Sequence, residues 1–164
     1  MDWRPFYLRP DTPPEGMELP DYVKARMAQT NTRLKQMAAA AGLEMVFATR
    51  IPNTRRAHES TEYAREKGKL LEFHRAVFDK FYGRGEDISK WEVLRDAARQ
   101  VGLDADEMQR EVESGRYTAQ VNAMVREAQQ IGVSGVPTYV LNDRYAIVGA
   151  QPYEVFLQAL ERLL

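Results

Sequence analysis

Residues 131–141 read IGVSGVPTYVL, and this stretch decides the fold. Gly132 is the kind of residue that ends a helix, because glycine readily adopts the left-handed conformation needed there. Thr138 to Leu141 then form a β-rich run, and Tyr145 to Val148 form a second one after the three residues NDR. Short β-rich runs joined by such residues are typical of a hairpin. We therefore predict that a helix ends near Gly132 and that a β-hairpin follows it.

The sequence contains no cysteine. The chain therefore cannot carry out thiol–disulfide exchange with a residue of its own, because the thiolate is the nucleophile in that reaction. The two histidines, His58 and His74, have no second histidine three or four residues away, which is the spacing of a helical zinc site. The sequence predicts no metal site and no cofactor.

Composition narrows the class of protein. The chain has 164 residues, of which 44% are apolar, and this is typical of one ordinary globular domain. Its net charge of -1 gives no support for a nucleic-acid or membrane partner. Residues 1–5 lack the basic and apolar regions of a secretory signal, and no apolar run approaches the roughly 18 residues of a membrane span. We expect a cytoplasmic protein.

Helical periodicity dominates the middle of the chain. A short strand is predicted over residues 3–8, before a proline-rich loop. Pro20 suits the first position of a helix that ends at Gly42, followed by a short extended segment over residues 43–48. The apolar positions of this helix recur at spacings of three and four: Val23, Met27, Thr30, Leu34, Met37 and Ala41.

Further helices are predicted from Asn53 to Lys67, from Leu70 to Phe81, from Trp91 to Val101, from Asp104 to Glu113 and up to Ile131. The second of these has a predicted buried stripe of Leu70, Phe73, Val77, Phe78 and Phe81. A terminal helix opens at Pro152. A few short strands cannot form a stable sheet alone, so helices must cover them. The sequence predicts an α/β domain with helix in clear excess.

Gly135-Val136-Pro137-Thr138, followed by the two strands, Gly149 and the terminal helix, resembles the closing ββα unit of thioredoxin-fold proteins. The long helical block is similar to the helical insertion of the DsbA-like branch. Residues 3–8, together with Asn53-Thr54 and Ala57-His58, resemble the FrnE-like subgroup. Those proteins are predicted dithiol–disulfide isomerases, related to the glutathione-dependent 2-hydroxychromene-2-carboxylate isomerases.

The resemblance implies one thioredoxin-like domain of the DsbA type over residues 1–164. It places a strand at 1–9, a helical insertion at 20–132 and the closing ββα unit at 133–164. The family begins with a strand, a Cys-x-x-Cys pair and a helix, and no part of this sequence matches that first βα unit. We therefore expect an incomplete, truncated domain. Because the unmatched strand lies in the middle of the family's sheet, we expect a homo-oligomer, such as a dimer, to cover the open sheet.

The resemblance also assigns the candidate site residues. Pro137 is expected to follow a cis peptide bond, and the backbone of Val136 is expected to pair with an extended substrate. Asn53 is interpreted as a helix cap, with contact to a ligand such as glutathione as the functional alternative. No catalytic residue is assigned, and His58 is interpreted as structural.

Three functions follow from these observations. The first is a domain of the dithiol–disulfide oxidoreductase or isomerase family, acting on protein thiols and disulfides, that is inactive as this chain because it lacks cysteine. The second is a stand-alone binding or assembly module. The third is an isomerase-like protein that uses bound glutathione in place of a protein thiol.

Overall fold

The computed structural model describes residues 1–163, apart from the side chains at positions 26, 28 and 29. Over these residues the chain forms α-helices and two antiparallel two-stranded sheets, β1–β2 and β3–β4. In chain order the elements are β1 (Met17–Glu18), α1 (Asp21–Ala40), β2 (Arg50–Ile51), α2 (Arg55–Glu66), α3 (Leu70–Phe78), a π-helical turn (Asp79–Gly83), α4 (Trp91–Gln100), α5 (Ala105–Glu113), α6 (Thr118–Gln130), β3 (Thr138–Leu141), β4 (Tyr145–Val148) and α7 (Tyr153–Glu161).

The chain divides into two compact units. The first, called here the helical unit, comprises residues 11–121. The second, called the hairpin unit, comprises residues 1–10 together with 122–164. Each is described by itself below, and the single domain expected over residues 1–164 stays a prediction.

The core of the helical unit lies between α2, α3, α4 and α5. Apolar residues at spacings of three and four give each helix one apolar face, and these faces pack together. Phe73 of α3, Leu94 of α4 and Met108 of α5 are completely buried. The core comprises Ala57, Tyr63, Ala64, Phe73, Ala76, Val77, Ile88, Leu94, Ala97, Ala98, Leu103, Ala105, Met108, Val112 and Tyr117.

Two buried tyrosines connect α2 to the elements around it. The Tyr63 hydroxyl donates to the Glu107 carboxylate at 2.7 Å, and the Tyr117 hydroxyl donates to Glu66 at 2.9 Å. Burial raises the pKa of Tyr63, and the adjacent Glu107 raises it further. Burial, together with Glu66, raises the pKa of Tyr117 to about 12. Both phenols therefore stay protonated and act as donors throughout the physiological pH range.

A buried lysine lies in the π-helical turn. The Lys80 ammonium contacts Asp96 at 2.5 Å and Glu86 at 3.4 Å, while its side chain is almost completely buried. A buried ammonium is costly unless it is paired, so these carboxylates account for its position in the core. The hydrogen bond from Lys80 holds the pKa of Asp96 below its ordinary value.

The stability of the helical unit is expected to fall in acid partly through Glu107. Hydrogen bonds from Lys67 and Tyr63 lower the pKa of Glu107. A lowered folded-state pKa contributes stability above the unfolded value of about 4.3, and that stability is lost as the pH falls through the folded pKa. We expect the urea midpoint to decrease as the pH drops from about 5 to about 3. The decrease should be smaller in Glu107→Gln.

The matched control for this experiment is Glu44→Gln. Glu44 is exposed, and no ion pair to it is recorded among residues 1–163. The control should follow the wild-type pH dependence. An identical acid profile for Glu107→Gln and wild type would contradict the assignment.

The hairpin unit contains β3, β4 and α7. The two strands pair antiparallel with Thr138 opposite Val148 and Leu141 opposite Tyr145, which confirms the predicted hairpin. Asn142 and Asp143 both have a φ of 52°, a left-handed conformation that Asn and Asp adopt more easily than most residues. On one face of the hairpin, the Tyr139 ring packs edge-on against Phe156 of α7, with 4.9 Å between the ring centres.

The prediction of a strand over residues 3–8 was wrong, because these residues form no strand in the structure. Residues 43–48, which were predicted to be extended, also form no strand pairing. The nearby strand is instead Arg50–Ile51, which pairs with Met17–Glu18. A strand exists only where a second strand offers it hydrogen bonds, and residue composition does not specify that partner.

Two predicted apolar stripes are also less buried than their periodicity indicated. The helix predicted from Pro20 is present as α1, but none of its described side chains is buried. Phe78, expected in the stripe of α3, is 48% exposed, whereas Phe73 and Val77 are buried. Periodicity therefore placed these residues on the right helices without deciding what covers them.

Across residues 1–163, the helices are too short or too polar to cross a membrane.

Candidate substrate-binding site

The candidate site begins where α6 ends. Gly132 has a φ of +85°, and its N–H donates to the Gln129 carbonyl oxygen at 3.0 Å. The Val133 N–H donates to Ala128 O at 2.9 Å, which completes the paired hydrogen bonds of a glycine-terminated helix. This turn confirms the predicted helix end and leads the chain to residues 135–137.

The peptide bond between Val136 and Pro137 is cis, which confirms the prediction. Hydrogen bonds fix the residues on either side of it. The Thr138 hydroxyl donates to Gly135 O at 2.7 Å, and the Gly149 N–H donates to Pro137 O at 2.8 Å. The loop is therefore attached both to its own strand and to the end of β4.

One edge of β3 has no strand beside it among the described residues. The bond from Gly149 to Pro137 shows which residues of β3 face β4, because hydrogen-bonded and non-hydrogen-bonded pairs alternate along an antiparallel ladder. Thr138 and Val140 consequently direct their N–H and C=O groups away from β4. No hydrogen bond of the Val136 backbone is recorded within residues 1–163.

The outward edge is also apolar. Val136 is 53% exposed, and Val140 and Val148 are exposed as well. Val140 and Val148 lie on the face of the hairpin opposite to Tyr139, because side chains alternate along each strand. The α7 helix contacts the Tyr139 face, so the valine face lacks that cover. Unpaired backbone groups beside exposed valines are what an added β-strand requires.

Asn53 lies in the helical unit, whereas Val136 and Pro137 lie in the hairpin unit. Its side-chain amide donates to Thr12 O at 2.7 Å, and its Oδ1 accepts from the Arg55 N–H at 3.0 Å. Asn53 therefore bonds the first residue of α2 to the proline-rich loop. The N-cap of α2 is Thr54, which makes no side-chain capping bond, so Asn53 lies one residue before the cap position. A contact to a ligand stays a prediction.

Arg4 has a structural role that the sequence did not assign. Its guanidinium contacts Glu127 of α6 at 2.6 Å and Asp2 at 3.1 Å, so it attaches the amino-terminal segment to α6 within the hairpin unit. The hydrogen bond to Asp2 is the largest of the effects that raise the pKa of Arg4. Arg4 and Glu127 are 123 residues apart in the chain, so no local sequence pattern predicts their contact.

The histidines do not form a metal site with other residues, and no group of metal-ligating side chains is found in the described part of the chain. His74 stacks on the Phe78 ring with 4.4 Å between ring centres. Burial lowers the pKa of His74, so the ring is neutral at physiological pH.

A cis-proline loop before an antiparallel hairpin, with a terminal helix packed on it, is the arrangement expected for the closing ββα unit of a thioredoxin-like α/β protein. A family model described as the DSBA-like thioredoxin domain matches residues 1–161. The chain belongs to this DsbA-like thioredoxin family, and the predicted fold class is confirmed.

Individual relatives support the same assignment. The chain is 30% identical over 163 residues to the uncharacterized protein YwbO of Bacillus subtilis (strain 168), spanning 98% of this chain and 80% of that protein. The solved structure of a probable DsbA oxidoreductase from Streptomyces coelicolor has a TM-score of 0.81 and 28% identity, covering 97% of this chain and 73% of that one. A 2-hydroxychromene-2-carboxylate isomerase has a TM-score of 0.75 at 22% identity, over 86% of this chain and 68% of its own, which shows the fold alone.

Proposed function

We propose that this chain is a DsbA-like domain that binds extended polypeptide and does not itself catalyse thiol–disulfide exchange. The observation that carries the binding role is the open edge of β3 beside the Val136–Pro137 bond. Its unpaired backbone groups can bind an extended segment of any sequence, because main-chain hydrogen bonds do not depend on side chains. The exposed Val136 and Val140 favour apolar segments. The substrates proposed are protein segments that carry thiols or disulfides.

The chemistry proposed for this chain is limited by its composition. Exchange begins when a thiolate attacks a disulfide sulfur, and the other sulfur leaves as a thiolate. None of the 164 residues is cysteine, so any attacking thiol near this site comes from outside these residues. The domain's own contribution is to hold the extended substrate.

An insulin reduction assay with dithiothreitol tests the proposed inactivity. We expect the purified chain not to accelerate precipitation above the rate without protein, since it has no thiol to relay electrons. The matched control is the same preparation treated with iodoacetamide. Alkylation cannot affect a chain without cysteine, whereas it abolishes a contaminating thiol enzyme. Acceleration that survives alkylation would contradict the proposal.

A second candidate function is assembly with another copy of the chain. The observation that favours it is the apolar exposure of the hairpin unit, where α7 buries no residue and Tyr153 and Leu160 are exposed. Pairing of two β3 edges would satisfy the outward N–H and C=O groups and cover the valine face. Sedimentation equilibrium distinguishes the two functions: a dimer that excludes extended peptide supports assembly, and a monomer that binds peptide supports the first proposal.

The glutathione-dependent function stays a prediction that no contact in the described structure favours. The Asn53 side chain, which was its candidate ligand contact, already bonds Thr12 and Arg55. Absence of binding at about millimolar glutathione in calorimetry, a concentration at which specific binding is still measurable, would rule it out.

A further inference from the structure

The α1 helix lacks the packing that usually stabilises a helix. It is 20 residues long, and none of its described side chains is buried. Most helices in proteins are stabilised by burying one apolar face rather than by intrinsic propensity. The exposed apolar residues of α1 therefore require an explanation outside the contacts of the helical unit.

These apolar residues form a regular seam. We define the α1 stripe as the six positions Val23, Met27, Thr30, Leu34, Met37 and Ala41. Successive members are separated by four, three, four, three and four residues, which is the heptad spacing of a helix that packs along another helix. The second half of the stripe is open, since Leu34 is 37% and Met37 is 54% exposed.

The apolar surface continues past the end of the helix. Gly42 has a φ of +71°, and the Leu43 N–H donates back to Ala38 O at 2.8 Å. This glycine-terminated cap holds Leu43 at the end of α1. The Leu43 side chain is 65% exposed there, so exposed apolar surface is also present beyond the end of the helix.

The charges beside the stripe identify the partner's chemistry. Residues 21–41 carry four cationic side chains and one acidic one by sequence, although the whole chain has a net charge of -1. Lys24 follows the first stripe position and Arg33 precedes Leu34, which are the flanking positions of a heptad seam. Lys24 pairs with its neighbour Asp21 at 3.0 Å in an exposed contact. No ion pair of Arg33 is recorded among the described side chains.

We propose that the α1 stripe binds an amphipathic helix of a partner protein whose flanking positions are acidic. The partner's apolar face covers Leu34, Met37 and Leu43, and its carboxylates lie opposite Lys24 and Arg33. A second copy of α1 is disfavoured as the occupant, because it would bring two segments of net positive charge side by side. This inference is independent of the β3 edge and of the peptide binding proposed there.

Two synthetic heptad peptides test the proposal by fluorescence anisotropy. Both have leucine at the seam positions, one has glutamate at the flanking positions, and the other has lysine there. We expect the glutamate peptide to bind the full chain about tenfold more tightly than the lysine peptide at about 50 mM salt. The difference should shrink at about 500 mM salt, because exposed charges are then screened.

Substitutions locate the binding surface. Met37→Glu and Leu34→Glu should each weaken binding of the glutamate peptide by about tenfold, because they place a carboxylate in the apolar seam. The matched control is Tyr22→Glu, which adds the same charge at an exposed position of α1 outside the stripe and should retain most of the affinity. Circular dichroism of each variant confirms that the chain is folded.

Three results would overturn the proposal. Equal affinity for the two peptides would show that the binding site does not prefer an acidic partner. Undiminished binding by Met37→Glu would show that the peptide binds at a surface other than the α1 stripe. A wild-type dimer that Met37→Glu converts to a monomer in sedimentation would show that a second copy covers the stripe.

Discussion

Replacing Phe73 with alanine is expected to lower the free energy of unfolding by about 3–5 kcal/mol. Phe73 is completely buried in α3, where it belongs to the core formed with α2, α4 and α5. Its removal loses the transfer free energy of the ring and leaves a cavity, because the surrounding helices can collapse only partly into the space. Native domains are stable by only about 5–15 kcal/mol, so the loss is a large fraction of the total.

The same helix offers a matched control. Phe78 is also a phenylalanine of α3, but it is 48% exposed and contacts His74 and Tyr82 at the surface. We expect Phe78→Ala to cost about 1 kcal/mol or less, as for surface substitutions that leave little cavity. Urea unfolding followed by circular dichroism measures both variants. Equal losses for Phe73→Ala and Phe78→Ala would show that the core is not where the structure places it.

Replacing Val140 with proline is expected to weaken the binding of extended polypeptide by about tenfold while leaving the hairpin folded. The Val140 N–H points away from β4, so proline removes a donor that the β3–β4 ladder does not use. A strand added at the open edge needs that donor. Fluorescently labelled, reduced and alkylated insulin B chain is a suitable probe, because it is extended and cannot react with thiols.

The control for this substitution is Val140→Thr, which keeps the N–H and a β-branched side chain. It should bind the probe within about twofold of wild type, a difference well below 1 kcal/mol. Thermal unfolding should confirm that Val140→Pro remains folded, since an outward edge position tolerates proline. Wild-type binding by Val140→Pro would exclude the β3 edge as the binding surface.

The hairpin unit shows which structural features can be predicted from local sequence. The helix end at Gly132 and the turn at the residues NDR depend only on neighbouring residues. Both strands formed where the sequence predicted them. The cis bond before Pro137 was inferred through resemblance to a family rather than from composition. The strand predicted over residues 3–8 failed because its existence depends on a ladder partner elsewhere.

The candidate site also combines features predicted from the sequence with features that depend on contacts between distant residues. Sequence resemblance selected Val136, Pro137 and Asn53. The structure adds the hydrogen bonds of Pro137 and Asn53, whereas none is recorded for the Val136 backbone within residues 1–163. Asn53 has a partner 41 residues away at Thr12. The open backbone edge of Thr138 and Val140 could not be read from residue types, because it depends on the register between β3 and β4.

By itself the sequence determined which segments are helical, where the hairpin turns, and that this chain has no thiol. Those properties depend on the period of apolar residues, on local turn conformations and on composition, all of which act over a few neighbouring residues. Only the tertiary structure decided that Phe73 is buried while Phe78 is exposed, that the buried Lys80 pairs with Asp96, and that the second half of the α1 stripe is open. Burial and ion pairing depend on which distant elements meet, and a one-dimensional pattern does not specify that arrangement.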